Sequence, residues 1–396
     1  MKPIEKRGAH RAPTSSGRSG VGGAGAVVLA ALALPGVWSG SAQAQGRPEK
    51  GSFALKYLYY QDSQPGFKRV TVNSPSIHVF VPVGKDYSVE GALVVDALSG
   101  ATPRWQTAVS SASKMSEERG TGDIKVTRYF DRSSYSAGMS YSKEHDFLSI
   151  AISLGASWSS PDNNTTWNIG VGGTADRIEP TGGGLTGVTS EKRDSTDMII
   201  GVTQALTRND LLQVNAGFST GEGYYNDPYK TLDERPGRRK QAALLARWNH
   251  HIEGDGSSLR SSYRLYRDSF GIHAHTIQGE WARPVTQRLT LTPLLRYYSQ
   301  SAARFYAEAQ YDPATGLPSY PAVAPGQLNS GDQRLSAFGA VTLGVKADYR
   351  LTTDWSLDGK LESYQQRSAW HLGGDGSPRL APLRAIIVQV GARFRF

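Results

Sequence analysis

Cysteine is absent from the 396 residues. Its absence removes a disulfide framework, a thiolate metal site and a cysteine nucleophile from consideration. Beyond the first 44 residues there is also no apolar run long enough to cross a bilayer as a helix. This excludes helical spans and leaves a membrane open, because a β-barrel places an oily residue only at every second position. No Lys/Arg run is dense enough to track phosphates. The formal charge of +9 includes five basic residues (Lys2, Lys6, Arg7, Arg11, Arg18) and one acid (Glu5) in the first 44, so the remainder carries +5, four less than the whole. Spread over the rest of the chain this is mild, and no nucleic-acid partner is expected. Nor is there a fixed-period repeat or a linker. Length alone would allow two or three domains, but barrels routinely exceed that prior as one unit.

What is present begins with an export pattern. Residues 1 to 44 combine a basic start, an apolar core from Ala24 to Leu34, a break at Pro35 and the small-residue site Ala42-Gln43-Ala44 before Gln45. We expect a signal peptide cleaved between Ala44 and Gln45, then one domain from 45 to 396. The leader has no Arg-Arg pair and no Cys to take lipid, so the general export route is expected. The expected location is the outer membrane of a Gram-negative cell.

From Phe53 onward the chain alternates. Phe53, Leu55, Tyr57 and Tyr59 share one face. Ile77, Val79 and Val81 oppose His78, and Tyr87, Val89, Leu93 and Val95 oppose Glu90 and Asp96. At the far end, Ile386, Val388, Val390, Ala392, Phe394 and Phe396 interleave with Ile387, Gln389, Gly391, Arg393 and Arg395. A period of two over about ten residues gives a strand with lipid on one side and water on the other. A terminal aromatic after such a strand resembles the assembly signal of Gram-negative outer-membrane barrels. That likeness implies Phe396 as the signal and the barrel-assembly machinery as a partner.

The pattern predicts an all-β fold: a transmembrane antiparallel up-and-down β-barrel of about sixteen strands, with fourteen to eighteen also fitting the spacing. Long loops are expected near 98 to 123, 174 to 195, 220 to 239, 300 to 333 and 367 to 380. Gly (44) and Tyr (19) are plentiful, as tight turns and interfacial girdles require. Trp158, Trp167, Trp248, Trp281, Tyr349, Trp355 and Phe396 all fall beside short turns, where an amphipathic ring sits between hydrocarbon and headgroup. A soluble propeller would instead show self-similar blades.

Several strings that look like sites have plainer readings. Gly170 to Ala175 matches a dinucleotide fingerprint but opens no helix, so strand glycines are the better account. Asn163 and Asn164 satisfy a glycosylation pattern inside a short turn. His273 and His275 lie two apart with outward parity, and a metal would need ligands from a second strand. His145 and His371 could serve a rim hydrolase, but nothing brings a serine to either. No catalytic, cofactor or metal residue is therefore assigned, and no cofactor is expected. The lumen says more. Arg247, Arg260, Arg264 and Arg296 point inward on strands ten, eleven and thirteen, with Glu280 between them. Arg260 and Glu280 are placed to pair. Lys346, Asp348, Asp358, Lys360, Glu362, Arg393 and Arg395 continue this pore-lining set. The charges either cross-brace a plugged lumen or favour anionic solutes in an open one.

The strings VDALSGATP (Val95 to Pro103), VTRYFDR (Val126 to Arg132), GYYNDPYK (Gly223 to Lys230) with RPGRR (Arg235 to Arg239), and LRYYSQSAARFY (Leu295 to Tyr306) resemble an uncharacterised family of Gram-negative outer-membrane barrels, a domain-of-unknown-function family. The resemblance implies an outer-membrane barrel without an assigned activity, and a neighbourhood of periplasmic lipoprotein or thioredoxin-like partners. Outer-membrane lipid and lipopolysaccharide are the expected surroundings. A porin-like channel for small hydrophilic, in particular anionic, solutes is the first functional expectation. The alternatives are a closed barrel anchoring a periplasmic or surface partner in a redox-associated system and, further off, a lipid hydrolase.

Overall fold

The computed structural model describes residues 47–101, 114–181, 186–230, 232–308 and 326–396, with 310–311, 318–319 and 323–324. The expected leader and its cleavage point at Ala44 and Gln45 lie outside the described residues. The first half supplies β1 (Ser52–Gln64), β2 (Phe67–Val83), β3 (Tyr87–Ala101), β4 (Lys114–Tyr129), β5 (Ser133–Lys143), β6 (Phe147–Ser159), β7 (Thr165–Ile178), β8 (Glu191–Ala205) and β9 (Asp210–Gly223). The second supplies β10 (Arg238–Ile252), β11 (Ser257–Asp268), β12 (His273–Pro284), β13 (Leu289–Gln300), β16 (Phe338–Arg350), β17 (Trp355–Arg367) and β18 (Leu383–Arg395). Between β13 and β16 lies a two-stranded hairpin, β14 (Gln310–Tyr311) and β15 (Pro318–Ser319).

Among the described residues, every barrel strand pairs antiparallel with its chain neighbours, and β1 pairs with β18 to close the sheet. The barrel has the expected sixteen strands. Closure runs Phe53 opposite Phe394, Leu55 opposite Ala392 and Tyr57 opposite Val390. Backbone hydrogen bonds between Gly51 and Phe396 extend it by one pair. Closure leaves no edge of unpaired N–H and C=O groups, which hydrocarbon would not tolerate.

Alternation sets the two surfaces. Leu93, Ile124, Met139, Ile152, Leu154, Leu295, Leu343 and Val390 are each about half exposed or more, an arrangement that water would punish and lipid rewards. No helix among the described residues could cross a membrane, which says nothing of crossing by strands. One rim has only short turns, at 84–86, 130–132, 160–164, 206–209, 253–256, 285–288 and 351–354. Its outer edge carries the aromatics: Trp158 stacks on Trp167 at 6.2 Å, and Phe394 lies 5.0 Å from Trp355 and 6.1 Å from Phe396. The opposite rim bears the long loops.

Three of the five expected loops, near 98 to 123, 174 to 195 and 220 to 239, are shorter than the sequence suggested. The polar stretch from Leu98 to Asp123 is mostly strand, because β3 and β4 stay in register from Tyr87 opposite Arg128 to Ala101 opposite Lys114. Likewise β7 and β8 extend to Ile178 opposite Glu191, narrowing the loop expected at 174 to 195. Once a hairpin clears hydrocarbon its outward residues need not be apolar, so the alternation fades while the ladder continues.

Candidate functional site: the lumen and its long-loop mouth

The inward face divides into two arcs. On β5 to β9 the middle of the wall is rich in small residues, Ser136, Gly138, Ser140, Ser153, Gly155, Gly170, Gly172, Gly201 and Gly217, with Ile199 and Asn215 lying over Gly170 and Gly201. Gly170 and Gly172 are therefore wall glycines inside β7. On β10 to β18 and β1 the wall is charged. Arg260 stands opposite Glu280 at 3.8 Å, as expected. Gln278 donates to Glu280 at 2.6 Å and accepts from Arg296 Nε at 2.7 Å. Arg296 also faces Glu362 at 3.9 Å, which Lys360 reaches at 3.0 Å. Lys346 pairs with Asp348 at 2.6 Å, and Lys56 with Asp358 at 3.8 Å. Room for these carboxylates comes from glycine: a Cβ at Gly344 would sit 2.8 Å from the Glu362 side chain, and one at Gly391 2.7 Å from that of Asp358.

Four cations of this arc, Arg247, Arg264, Arg393 and the exposed Arg395, have no ion-pair partner among the described residues. Arg247 donates to Gln213 Oε1 at 3.3 Å, Arg264 lies 5.4 Å over the Tyr266 ring, and Arg393 is exposed near the short-turn rim. Asp123, also exposed, stands on the far wall. Arg260, Asp123, Ser153 and Arg393 are open to water, whereas Asp62, Asp176, Arg193, Asp197, Ser219 and Gln300, nearer the long loops, are buried. The lumen thus carries several buried charged residues beneath the long loops, while Ala54, Ser88 and Thr127 are buried toward the short-turn rim.

Four inward tyrosines line the long-loop end of the lumen, each donating to an acceptor two residues on: Tyr60 to Asp62 (2.9 Å), Tyr266 to Asp268 (3.0 Å), Tyr298 to Gln300 (2.6 Å) and Tyr364 to Gln366 (2.8 Å). The sequence reading missed them. The signal was present as Tyr-x-Asp or Tyr-x-Gln at the long-loop end of β1, β11, β13 and β17.

Above them two loops meet. The segment 301–337, between β13 and β16, reaches β1 at one end, where Gln64 donates to Gln333 Oε1 at 3.2 Å. At its other side Asn329 exchanges backbone hydrogen bonds with Glu234 (2.7 and 2.9 Å) in the loop between β9 and β10, which lies across the ring from β1. That second loop continues the crossing, as the Tyr229 hydroxyl donates to Asp146 Oδ2 at 2.9 Å in the loop between β5 and β6. Together they form a strap over the mouth. Its centre is Asp332, buried at 1% exposure and approached by Arg334, by Arg235 at 3.1 Å and by Lys230 at 3.5 Å. Burial alone would raise this carboxyl, but Arg334, Lys230 and Arg235 outweigh it and hold it well below the usual carboxylate range. Beneath the strap Phe270, Ile272, Ala303, Phe305 and Leu335 pack with Tyr225, Tyr266 and Tyr306. At the strap's far anchor, burial pushes the Glu144 carboxyl up to about 7, with Arg119 opposing and Asp146 and Asp96 adding to the rise.

The histidines do not assemble a site. His273 is exposed on the outer face, and His275 Nδ1 contacts the Tyr263 hydroxyl at 2.7 Å. No group among the described residues could hold a metal ion. His145 is exposed in the loop between β5 and β6, and His371 lies in a different loop, with its Nδ1 buried and without a hydrogen bond.

A family model described as "Protein of unknown function (DUF3570)" matches residues 24–127 and 111–389. The chain belongs to that family. No curated protein matches it. Among solved structures it is similar to a bacterial polysaccharide outer membrane secretin (8% identity, 87% of this chain and 98% of that one, TM-score 0.47). It is similar also to OccK2 (OpdF) of Pseudomonas aeruginosa (9% identity, 88% and 98%, TM-score 0.45) and to the siderophore receptor PirA of Acinetobacter baumannii (9% identity, 80% and 53%, TM-score 0.45). The chain spans about half the length of that receptor. This family member is an outer-membrane-type β-barrel, and likenesses at such identities concern the barrel alone.

Proposed function

We propose that this barrel resides in the Gram-negative outer membrane, reached through a cleaved leader, and conducts small hydrophilic anions through a lumen restricted at its long-loop mouth. The observation that carries the reading is the set of inward arginines Arg247, Arg264, Arg393 and Arg395, which have no ion-pair partner among the described residues. Such a set in a low-dielectric tube concentrates anions. Arg260 and Arg296, braced by Glu280 and Glu362, contribute less field than the expected four-arginine wall. Planar-bilayer recording in a KCl gradient tests this. The reversal potential should show anion preference, and replacing Arg247 and Arg264 with Ser should reduce it more than replacing Arg260 and Arg296. Equal effects would reject the assignment.

A second reading has its own support. The strap closes the mouth with buried ion pairs, as a closed anchoring barrel would require. Absence of any ion current from folded protein would favour that reading, and a periplasmic lipoprotein or thioredoxin-like protein is then the partner to seek.

A further inference from the structure

The outer face carries a feature that transport does not use. On β8, β9, β10 and β11 the outward residues form two registered rows near the long-loop rim. Met198, Phe218, Ala242 and Arg267 are successive cross-strand partners in one row. Thr196 pairs with Thr220 and Thr220 with Lys240 in the next row toward the loops. Lys240 is in turn joined to Ser269 through backbone groups and the serine hydroxyl. Between these rows lies a trough of about 550 Å³. The row toward the barrel waist is apolar as far as Arg267 at its β11 end, and the row toward the loops ends on Lys240. Ala242, small between Phe218 and Arg267, makes the depression.

Lys240 and Arg267 sit diagonally across β10 and β11, a spacing of roughly 7–8 Å at the backbone. Both are exposed, and neither has an ion-pair partner among the described residues. Their neighbour Arg238, by contrast, is paired with Glu222. Outward lysine and arginine at the edge of a hydrocarbon band are costly unless their heads reach an interface with anions. Long loops face the cell exterior in barrels of this kind, so the trough lies at the outer leaflet. There the amphiphile is a phosphorylated glycolipid with several acyl chains. Its chemistry matches the trough: acyl chain against Met198, Phe218 and Ala242, phosphate between Lys240 and Arg267, hydroxyl partners from Thr196 and Thr220.

We infer that this trough is a binding site for the phosphorylated glycolipid of the outer leaflet, with Lys240 and Arg267 as the phosphate ligands. The site rests on the outer-membrane placement of the barrel and is independent of whether the lumen conducts.

The test is native mass spectrometry of the full-length protein purified in detergent and titrated with diphosphorylated lipid A, with phosphatidylglycerol and phosphatidylethanolamine as competitors. The expected result is one retained lipid A, displaced neither by phosphatidylglycerol nor by phosphatidylethanolamine at equal concentration. The Lys240→Gln/Arg267→Gln variant should bind it at least tenfold more weakly. An Arg384→Gln variant, which changes an outward cation on β18 instead, should bind as the wild type does. Equal retention by the double variant overturns the site, and equal binding of phosphatidylglycerol overturns the glycolipid in favour of any anionic lipid. Because the substitutions are on the surface, a heat-dependent gel shift confirms folding in each sample. Should the double variant not fold, Arg267→Lys, which keeps the charge but loses the bidentate fork, must still lower retention.

Discussion

Replacing Asp332 by Asn keeps the shape of the strap's centre and removes its charge. Lys230 and Arg235, each with side chains only 11% exposed, then lose a shared anion at 3.5 and 3.1 Å. Arg334, about half exposed, regains water and contributes little to the penalty. Breaking a buried pair by removing one partner typically costs about 3–5 kcal/mol. Asp227 at 2.8 Å from Lys230 and Asp233 at 2.9 Å from Arg235 remain, so the lower end, about 3 kcal/mol, is the better expectation. At about 1.4 kcal/mol per tenfold, the opened strap becomes roughly a hundredfold more populated. Trypsin acting on the folded protein reads this directly, since Lys230 and Arg334 are cleavage sites within the strap, whereas Arg235 precedes Pro236 and resists the protease. Cleavage after Lys230 and Arg334 should accelerate by about that factor, while the heat-dependent gel shift of the barrel stays unchanged. Rates within about threefold of wild type would show that Asp332 does not hold the strap.

The remaining expectations concern the strap's far anchor, its packing and the lipid face. The raised Glu144 carboxyl contributes stability that is full below its ordinary value of 4.5 and lost as pH rises through about 7. Hydrogen-exchange protection factors, corrected for the intrinsic pH dependence of exchange, should therefore fall across that window in wild type for residues 224–230 and 232–237 and stay constant in Glu144→Gln. At Gly339 an added Cβ would fall 1.8 Å from the Trp370 carbonyl oxygen, so Gly339→Ala should displace the loop after β17. The temperature of the gel shift should drop, and an unchanged value would refute the contact. Leu343→Arg places a charge at a lipid-facing position 60% exposed on β16. It should cost roughly 2–4 kcal/mol in urea unfolding from vesicles, whereas Ser153→Arg, inward and exposed on β6, should not show that depth-dependent penalty.

Much of the architecture was readable because hydrocarbon imposes a local rule. Each outward residue between Phe53 and Phe396 can be judged alone, and Trp158 beside Trp167 marks a rim without knowledge of its partners. The rule fails where the strands leave the membrane, which is why 98 to 123 read as a loop while β3 and β4 continue through it. The lumen was legible in direction but not in pairing. Parity alone places Arg247, Arg260, Arg264 and Arg296 inside, and the pairing of Arg260 with Glu280 followed from their common distance to a short turn. Which cations stay unpaired depends on side chains across several strands, such as Glu362 reaching toward Arg296 over Gly344. The strap was invisible because Asp332 and Lys230 lie far apart in the chain and obey no period.

Because the chain has no cysteine, single cysteines carrying nitroxide labels can be placed at Ile150, Ala151, Ile152, Ser153 and Leu154 on β6 in lipid vesicles. Oxygen accessibility should peak at positions 150, 152 and 154, and a water-soluble nickel complex should reach Ser153 in preference to either outward neighbour. Accessibility without this alternation, or its peaks on the opposite parity, would contradict the claim that every second side chain faces hydrocarbon.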